Sequence, residues 1–320
     1  MTSRLGTNAR IALVTGAAGF CGRHLVRHLL AEGYQVAGFD QVGTACPSMA
    51  LYEGDLLDAP RLRAVLTEVR PALVVHLAAL TNPRLDYELL HRVNVLGTLA
   101  LLDAVRRACP TATVLVTSSS AVYGRVPESA LPIGEDEPLR PANLYAVSKI
   151  AQEMVAYQEF AKHGLRVIRT RAFNLTGPGE SASFVTSAFA QQIAEIEAGQ
   201  RDPVLQVGNL STVRDFTDVR DAVCAYRLLA EQGEPGAVYN VCSGQGIMIR
   251  RLLDGLLALS RVPGIDVQPD PARLQPADVP AQVGEAAFLR RTTGWRPCIP
   301  LSQTLADLLH YWRECIQKER

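Results

Sequence analysis

The residues that could pass a proton to a carbonyl lie near the middle of the chain. Tyr145 and Lys149 stand at i and i+4 in Tyr145-Ala146-Val147-Ser148-Lys149, so on a helix they share one face a turn apart. An ammonium beside a phenol favours the phenolate. The spacing therefore predicts a Tyr145 pKa drawn from about 10 towards neutrality, where the group can act as general acid or base. Ser119, 26 residues upstream, could hold the substrate oxygen in line with that phenol. Such a pair on a helix usually carries no chemistry. Its meaning depends on elements that would bring a hydride carrier beside it.

Those elements begin at the N-terminus. Ile11 to Thr15 reads as a short apolar strand, as expected at the buried centre of a parallel sheet. Gly16-Ala17-Ala18-Gly19-Phe20-Cys21-Gly22 follows, and Arg23 to Ala31 reads as a helix ending at Gly33. Strand, glycine turn and helix together suit a pyrophosphate approaching backbone N–H groups at a helix start. A second apolar strand, Gln35 to Phe39, leads into Asp40, 18 residues beyond Gly22. A carboxylate there suits a ribose 2′-hydroxyl and repels a 2′-phosphate, which favours NAD(H) while leaving NADP(H) open.

Thr15-Gly-x-x-Gly-Phe-x-Gly22, Asp55-Leu56, His76-Leu77-Ala78-Ala79, Asn94, Ser119 before Val122-Tyr123-Gly124, and Tyr145-x-x-x-Lys149 occur in this order. The set resembles the extended short-chain dehydrogenase/reductase superfamily over nearly the whole chain. The resemblance implies a catalytic trio of Ser119, Tyr145 and Lys149. It implies a dinucleotide site formed by Gly16, Gly19, Phe20, Cys21, Gly22, Asp40, Asp55, Leu56, Leu77, Ala78, Ala79 and Asn94 together with Tyr145 and Lys149.

Composition agrees with such a protein. The chain has 320 residues, enough for one large α/β unit and a smaller one. Lys and Arg number 32 against 32 Asp and Glu, giving no electrostatic case for nucleic acid or an anionic membrane surface. No apolar run approaches the roughly 18–20 residues that span a bilayer, and Met1 to Arg10 lacks a signal-peptide core. The seven cysteines show no Cys-x-x-Cys spacing, and the settings of Cys224 and Cys242 read as small core residues. Reduced thiols in a cytoplasmic protein are expected. His24 and His28 share a helix face without a zinc pattern, so no metal is expected.

Along the chain, apolar strands at Leu73 to Leu77, Thr113 to Thr117 and Leu165 to Thr170 alternate with helical stretches, predicting an α/β Rossmann-type doubly wound parallel sheet. Pro127 to Pro141 reads as a surface excursion ahead of the catalytic helix. Thr176-Gly177-Pro178-Gly179 breaks the alternation, a helix follows over Phe184 to Ala198, and Pro263 to Pro280 holds five prolines. By resemblance, residues 1–175 form the dinucleotide-binding unit with 216–242 returning to it. Residues 176–215 and 243–320 form a smaller C-terminal substrate lobe.

Three stretches bear on which member this is. In Ser118-Ser119-Ser120-Ala121, Ser120 and Ala121 occupy the places where sugar-nucleotide 4,6-dehydratases of the superfamily carry an acidic pair. A methyl group cannot take a proton, so dehydration is disfavoured. Phe184 to Gly199 with Val207 to Asp221, and Tyr239 to Gly244 with Asp270 to Pro280, resemble the GDP-4-keto-6-deoxy-D-mannose reductases. This implies reduction of the C4 ketone of an NDP-4-keto-6-deoxyhexose to GDP-6-deoxy-D-mannose, with substrate contacts from Ser119, Ser120, Asn174, Arg214 and Arg273. Gln275 departs from that pattern, standing where an arginine commonly holds the diphosphate. An amide supplies no charge there, and charge-assisted hydrogen bonds are roughly twice as strong as neutral ones. A salt bridge of Arg214 with Asp215 or Asp218 is the structural alternative to a diphosphate contact. A 4-epimerase, a natural-product ketoreductase and a dinucleotide-sensing module stay open beside the nucleotide-sugar reductase. The stretches Asn94 to Cys109, with Leu96, Leu99, Leu102 and Val105, and Leu144 to His163 read as helices. By resemblance they pair with a second copy in a homodimer.

Overall fold

The computed structural model describes residues 10–43, 48–82, 85–273 and 279–318. Its strands, in chain order, are β1 (Ile11–Thr15), β2 (Gln35–Asp40), β3 (Ala50–Glu53), β4 (Leu73–His76), β5 (Thr113–Ser119), β6 (Arg166–Ala172), β7 (Asn174–Thr176), β8 (Val204–Val207), β9 (Val213–Asp218), β10 (Val238–Val241), β11 (Gly246–Met248), β12 (Asp266–Pro269) and β13 (Ala281–Gln282). The helices are α1 (Phe20–Ala31), α2 (Ala59–Val69), α3 (Tyr87–His91), α4 (Gly97–Ala108), α5 (Leu144–His163), α6 (Val185–Glu197), α7 (Val219–Gln232), α8 (Ile249–Leu257), α9 (Ala287–Thr293) and α10 (Leu301–Lys318).

Seven strands form one sheet in the order β10-β6-β5-β4-β1-β2-β3, every neighbouring pair parallel. Strand order reverses between β1 and β4, and in an open α/β sheet ligands bind in the crevice at the carboxyl ends of strands flanking such a reversal. The central strands are apolar on both faces because both faces are covered. Leu25, Val26 and Leu29 of α1 pack with Val223 and Tyr226 of α7 on one side. Leu62 and Leu66 of α2 pack with Leu101, Leu102 and Val105 of α4 on the other. This is the doubly wound α/β fold expected from the sequence.

A smaller sheet, β11-β9-β13 with β7 also on β9, and the β12–β8 pair stand apart. They share a core with α6, α8 and α10, where Phe189, Ile193, Leu205, Phe216, Leu252, Leu253, Leu308 and Leu309 meet. A buried polar cluster ties the main sheet to α5 and to the segment that precedes it. Arg171 of β6 pairs with Glu153 of α5 at 2.9 Å, both side chains almost wholly buried, and donates to the Tyr123 hydroxyl at 3.0 Å and the Glu135 carbonyl at 2.9 Å. The Tyr123 hydroxyl donates in turn to Asn240 Oδ1 at 2.7 Å.

One helix differs from its sequence expectation. Residues 92–96 form a wide π-helical turn, and regular α-helix begins only at Gly97. The Asn94 side chain in that turn is held by neighbouring segments, and single π turns recur where a side chain must be re-aimed. Among the described residues no helix is long and apolar enough to cross a membrane.

Candidate functional site

The glycine loop joins β1 to α1 with little room to spare. Gly16 has φ +71°, and a Cβ there would stand 2.8 Å from the Ala78 nitrogen. A Cβ at Gly22 would run into the Gly16 carbonyl, so α1 lies directly against the loop. Gly19 is the N-cap of α1 and brings no side chain to the first-turn N–H groups, which suits an incoming phosphate. Asp40 closes the loop from β2. Its Oδ2 accepts from Ala18 N at 2.9 Å and its Oδ1 from Gln41 N at 2.8 Å, leaving a second lone pair on each oxygen for a ribose hydroxyl. Asp55 accepts from Gln41 Nε2 at 3.2 Å and from Leu57 N at 2.9 Å. Leu56 packs beneath Gly97. Phe20 and Cys21 pack against the core under α1.

Leu77, Ala78 and Ala79 follow β4. Leu77 N reaches the Thr15 carbonyl at 3.2 Å, and Ala78 N reaches Thr15 Oγ1 at 3.3 Å. Asn94 clasps this segment, accepting from Leu80 N at 2.8 Å and donating to Leu80 O at 3.0 Å. It also donates to Ser148 Oγ at 3.0 Å, one residue before Lys149. The loop fits a dinucleotide phosphate, since Gly16 and Gly22 let β1, α1 and the end of β4 close together while Gly19 leaves the first-turn N–H groups of α1 without a side-chain cap.

The trio meets where β5 ends and α5 begins. The α5 N-cap is Asn143, which accepts from Ala146 N at 2.8 Å, and this fixes the helix start one turn ahead of Lys149. The Ser119 hydroxyl accepts from Ala121 N at 3.1 Å and lies close enough to the Tyr145 phenol to draw its pKa down. Lys149 Nζ donates to the Thr117 carbonyl at 2.6 Å. The electrostatics correct the sequence expectation. Burial raises the Tyr145 pKa and Ser119 draws it back only in part, with no lowering by Lys149. The lysine is itself brought down to about 7 by burial, with Glu153 opposing. A base that is half neutral at pH 7 lends little charge to a neighbouring phenol. The phenol stays protonated and ready to donate.

The substrate candidates are more dispersed. Ser120 is buried beside Ser119. Asn174 donates to the Asp215 carbonyl at 3.0 Å. Arg214 lies near the start of β9 and donates to the Val213 carbonyl at 2.9 Å. Asp215 accepts from Ser243 and Gly244, while Asp218 takes Arg220 and Thr304. Arg273 pairs with Asp270 at 3.2 Å and packs its backbone over Gly208. Gln275 lies outside the described residues.

Two polar groups here escape sequence reasoning. His76, at the end of β4, is wholly buried, and burial takes its pKa down to about 3, aided by Lys149. Thr98 spends its one proton on the Asn94 carbonyl at 2.6 Å and accepts from Gln152 Nε2 at 2.8 Å. His76 Nε2 is therefore the donor to Thr98 at 2.8 Å, and Nδ1 accepts from the Thr15 hydroxyl at 2.7 Å. A lone polar ring closing an apolar strand was the available signal. Glu180 is buried and accepts from Thr176 Oγ1 at 2.8 Å, and burial lifts its pKa to about 8. It neighbours Cys21, whose thiol burial and Glu180 push up to about 12.

Comparison with known proteins places this arrangement. Residues 13–308 match the family model described as GDP-mannose 4,6 dehydratase. The chain is 39% identical over 322 residues to the GDP-6-deoxy-D-mannose reductase of Pseudomonas aeruginosa, covering 100% of both proteins. The structure of RMD from Pseudomonas aeruginosa complexed with NADPH superposes with a TM-score of 0.85 at 37% identity, covering 96% of this chain and 100% of that one. UDP-glucose 4-epimerase of Thermus thermophilus, in complex with NAD, gives 0.84 at 29% identity, covering 95% and 99%. With these matches along its length and the Ser–Tyr–Lys trio beside a dinucleotide-type glycine loop, the chain belongs to the GDP-mannose 4,6-dehydratase family, within the nucleotide-sugar-modifying extended short-chain dehydrogenase/reductases.

Proposed function

We propose that the protein is a nucleotide-sugar 4-ketoreductase that takes GDP-4-keto-6-deoxy-D-mannose to GDP-6-deoxy-D-mannose. The observation that carries this reading is the placement of Ser119 beside the Tyr145 phenol, with Ala121 two residues on. A protonated phenol stands beside the serine, and the place of a dehydratase acid holds a methyl group. Such a site can protonate a C4 oxygen but has nothing there to move a C5 proton. The GDP-6-deoxy-D-mannose reductase relative supports the same choice within a family named for dehydration.

When bound, a nicotinamide dinucleotide supplies the hydride to C4. Gly16, Gly19, Phe20, Cys21, Gly22, Asp40, Asp55, Leu56, Leu77, Ala78, Ala79 and Asn94 would hold it, with Asp40 favouring NADH. Ser119 holds the ketone oxygen, Tyr145 gives that oxygen its proton as the C–O double bond opens, and Lys149 secures the phenol's surroundings and the nicotinamide ribose. Arg214 and Arg273 take the diphosphate, with Asn174 and Ser120 near the sugar. Residues 1–175 and 216–242 serve the cofactor, while 176–215 and 243–320 serve the substrate. Leu96 and Leu99 near α4, and Leu144, Met154 and Tyr157 of α5, are exposed, and this apolar face suits pairing with a second copy of the chain.

The test is NADH oxidation against GDP-, dTDP- and UDP-4-keto-6-deoxyhexoses. Stoichiometric NADH loss with the GDP sugar is the expected result. Interconversion of C4 epimers without net NADH loss would make the protein an epimerase instead.

A further inference from the structure

Gln282 reaches from the smaller sheet to the doorstep of the catalytic serine. Its Nε2 donates to the Ser120 carbonyl at 2.8 Å, and its Oε1 accepts from Ser120 Oγ at 3.3 Å. Both ends of the amide are thus engaged with one residue, and that residue follows Ser119. Gln282 is itself buried and lies opposite Arg214 in the β13–β9 register. The strand has little freedom to shift. Ile133 N donates to the Val283 carbonyl at 2.8 Å and Glu285 N to the Ile133 carbonyl at 2.9 Å, while Gly284 N donates to Asp215 Oδ2 at 3.2 Å. One register position of the β13–β9 pair therefore holds a diphosphate candidate on β9 and a clamp on the catalytic turn on β13.

We propose that Gln282 is a positioning residue, coupling the strand that carries Arg214 to the placement of Ser119 against Tyr145. The inference rests on the ketoreductase reading for its kinetic consequences only. Ser119 is held from two sides, by Ala121 N and through Ser120 by Gln282, beside the phenol whose pKa it lowers. Loss of the second support lets the serine swing on the first. Small misplacements at a reacting centre are costly, up to about 100-fold for roughly 1 Å.

The variant Gln282→Leu keeps approximate volume and removes both bonds. Its kcat should fall roughly 10- to 100-fold, with KM for the nucleotide-sugar within about threefold of wild type because the diphosphate contacts stay. The alkaline limb of the kcat profile should move to higher pH, since Ser119 is the group that lowers the Tyr145 pKa. A merely structural role would lower thermal stability and leave that limb in place. Gln282→Glu, which turns the donor into a carboxylate facing the Ser120 carbonyl, should reproduce the kcat loss and serves if the leucine variant fails to fold. Wild-type kcat in both Gln282 variants, or a parallel fall in kcat and stability with the limb unmoved, overturns the proposal. Hydrogen–deuterium exchange of the peptide over 113–124 needs no substrate. Protection of Ala121 N–H should drop in Gln282→Leu, and unchanged protection overturns the clasp. A wild-type protein inert on every 4-keto sugar would sink the function reading, leaving the exchange experiment to decide this one.

Discussion

Lys149 and Thr117 are joined by a 2.6 Å hydrogen bond from the ammonium to a main-chain carbonyl, two residues before Ser119 on the same strand. The bond pins α5 to the end of β5, so tyrosine and serine inherit their spacing from a helix–strand contact. It also explains why the lysine is not the phenol's electrostatic partner. Its donor is turned into the sheet, and burial has already lowered its own pKa to about 7.

Replacing Tyr145 with phenylalanine should remove the proton donor and leave the dinucleotide contacts. Turnover should fall by about 10²–10⁴-fold with NADH affinity close to wild type, whereas Lys149→Ala should harm both. Steady-state kinetics with fluorescence titration of NADH checks this, and a fully active Tyr145→Phe protein would remove the catalytic assignment.

Cofactor choice is expected to turn on Asp40. Gln41, Val42 and Gly43 follow it with no cation to balance a 2′-phosphate, so kcat/KM should be higher with NADH than with NADPH. Asp40→Ser should narrow that ratio. A wild-type preference for NADPH, the dinucleotide in the Pseudomonas aeruginosa RMD structure, would refute the role given to this carboxylate.

Arg214→Ala should raise the nucleotide-sugar KM by about tenfold with a smaller effect on kcat, because a contact remote from C4 binds ground and transition states alike. Gln275→Arg should tighten binding, or change little if Arg273 already serves the same phosphate. An uncharged natural-product ketone as substrate would give the reverse: indifference to Arg214→Ala and weakening by Gln275→Arg.

Glu180 gives stability a pH dependence of definite sign. Its folded pKa, raised to about 8 from an ordinary 4.5, means that the folded state holds a proton the unfolded chain has released. The contribution is fully present below about pH 4.5 and is lost as pH rises through about 8. Glu180→Gln should therefore match wild type near pH 5 and exceed it at pH 9, by about 1 kcal/mol or more. Thermal melts at the two pH values test this, and equal Tm differences at both would refute it.

Leu99→Glu or Met154→Arg, placed on the exposed apolar face near α4 and α5, should convert a dimer to a folded monomer in light scattering at micromolar concentration. A wild-type monomer under the same conditions would remove the homodimer.

What can be read from the sequence is local. The β1–glycine–α1 unit, Asp40, and the Tyr145–Lys149 pair are set by period and spacing within a few tens of residues, and each lies where those rules put it. Leu102 and Val105 face the core while Leu96 and Leu99 do not, a division that periodicity alone could not make. Gln282 is out of reach because its partner is 162 residues away and nothing in its neighbourhood marks it. The sign of the Tyr145 shift is hidden for a different reason. Depth of burial decides it, and depth is a property of the assembled layers. Asn94 stands out in the sequence, but its π-helical turn follows from ties to Leu80 and Ser148 that only folding creates.

The last strand of the main sheet has a consequence for biosynthesis. β10 pairs with β6, yet between them the ribosome must deliver β7, α6, β8, β9 and α7. At roughly 5–20 residues per second, β6 stands for several seconds as an open edge, a template for pairing with any other nascent chain. Arg166, Arg169 and Arg171 punctuate that strand, and charge on a waiting edge is a known deterrent to such pairing. A gene fragment ending at residue 175 would make the wait permanent. Its product is expected in the insoluble fraction, whereas one extending past Cys242 carries the strand that closes the edge.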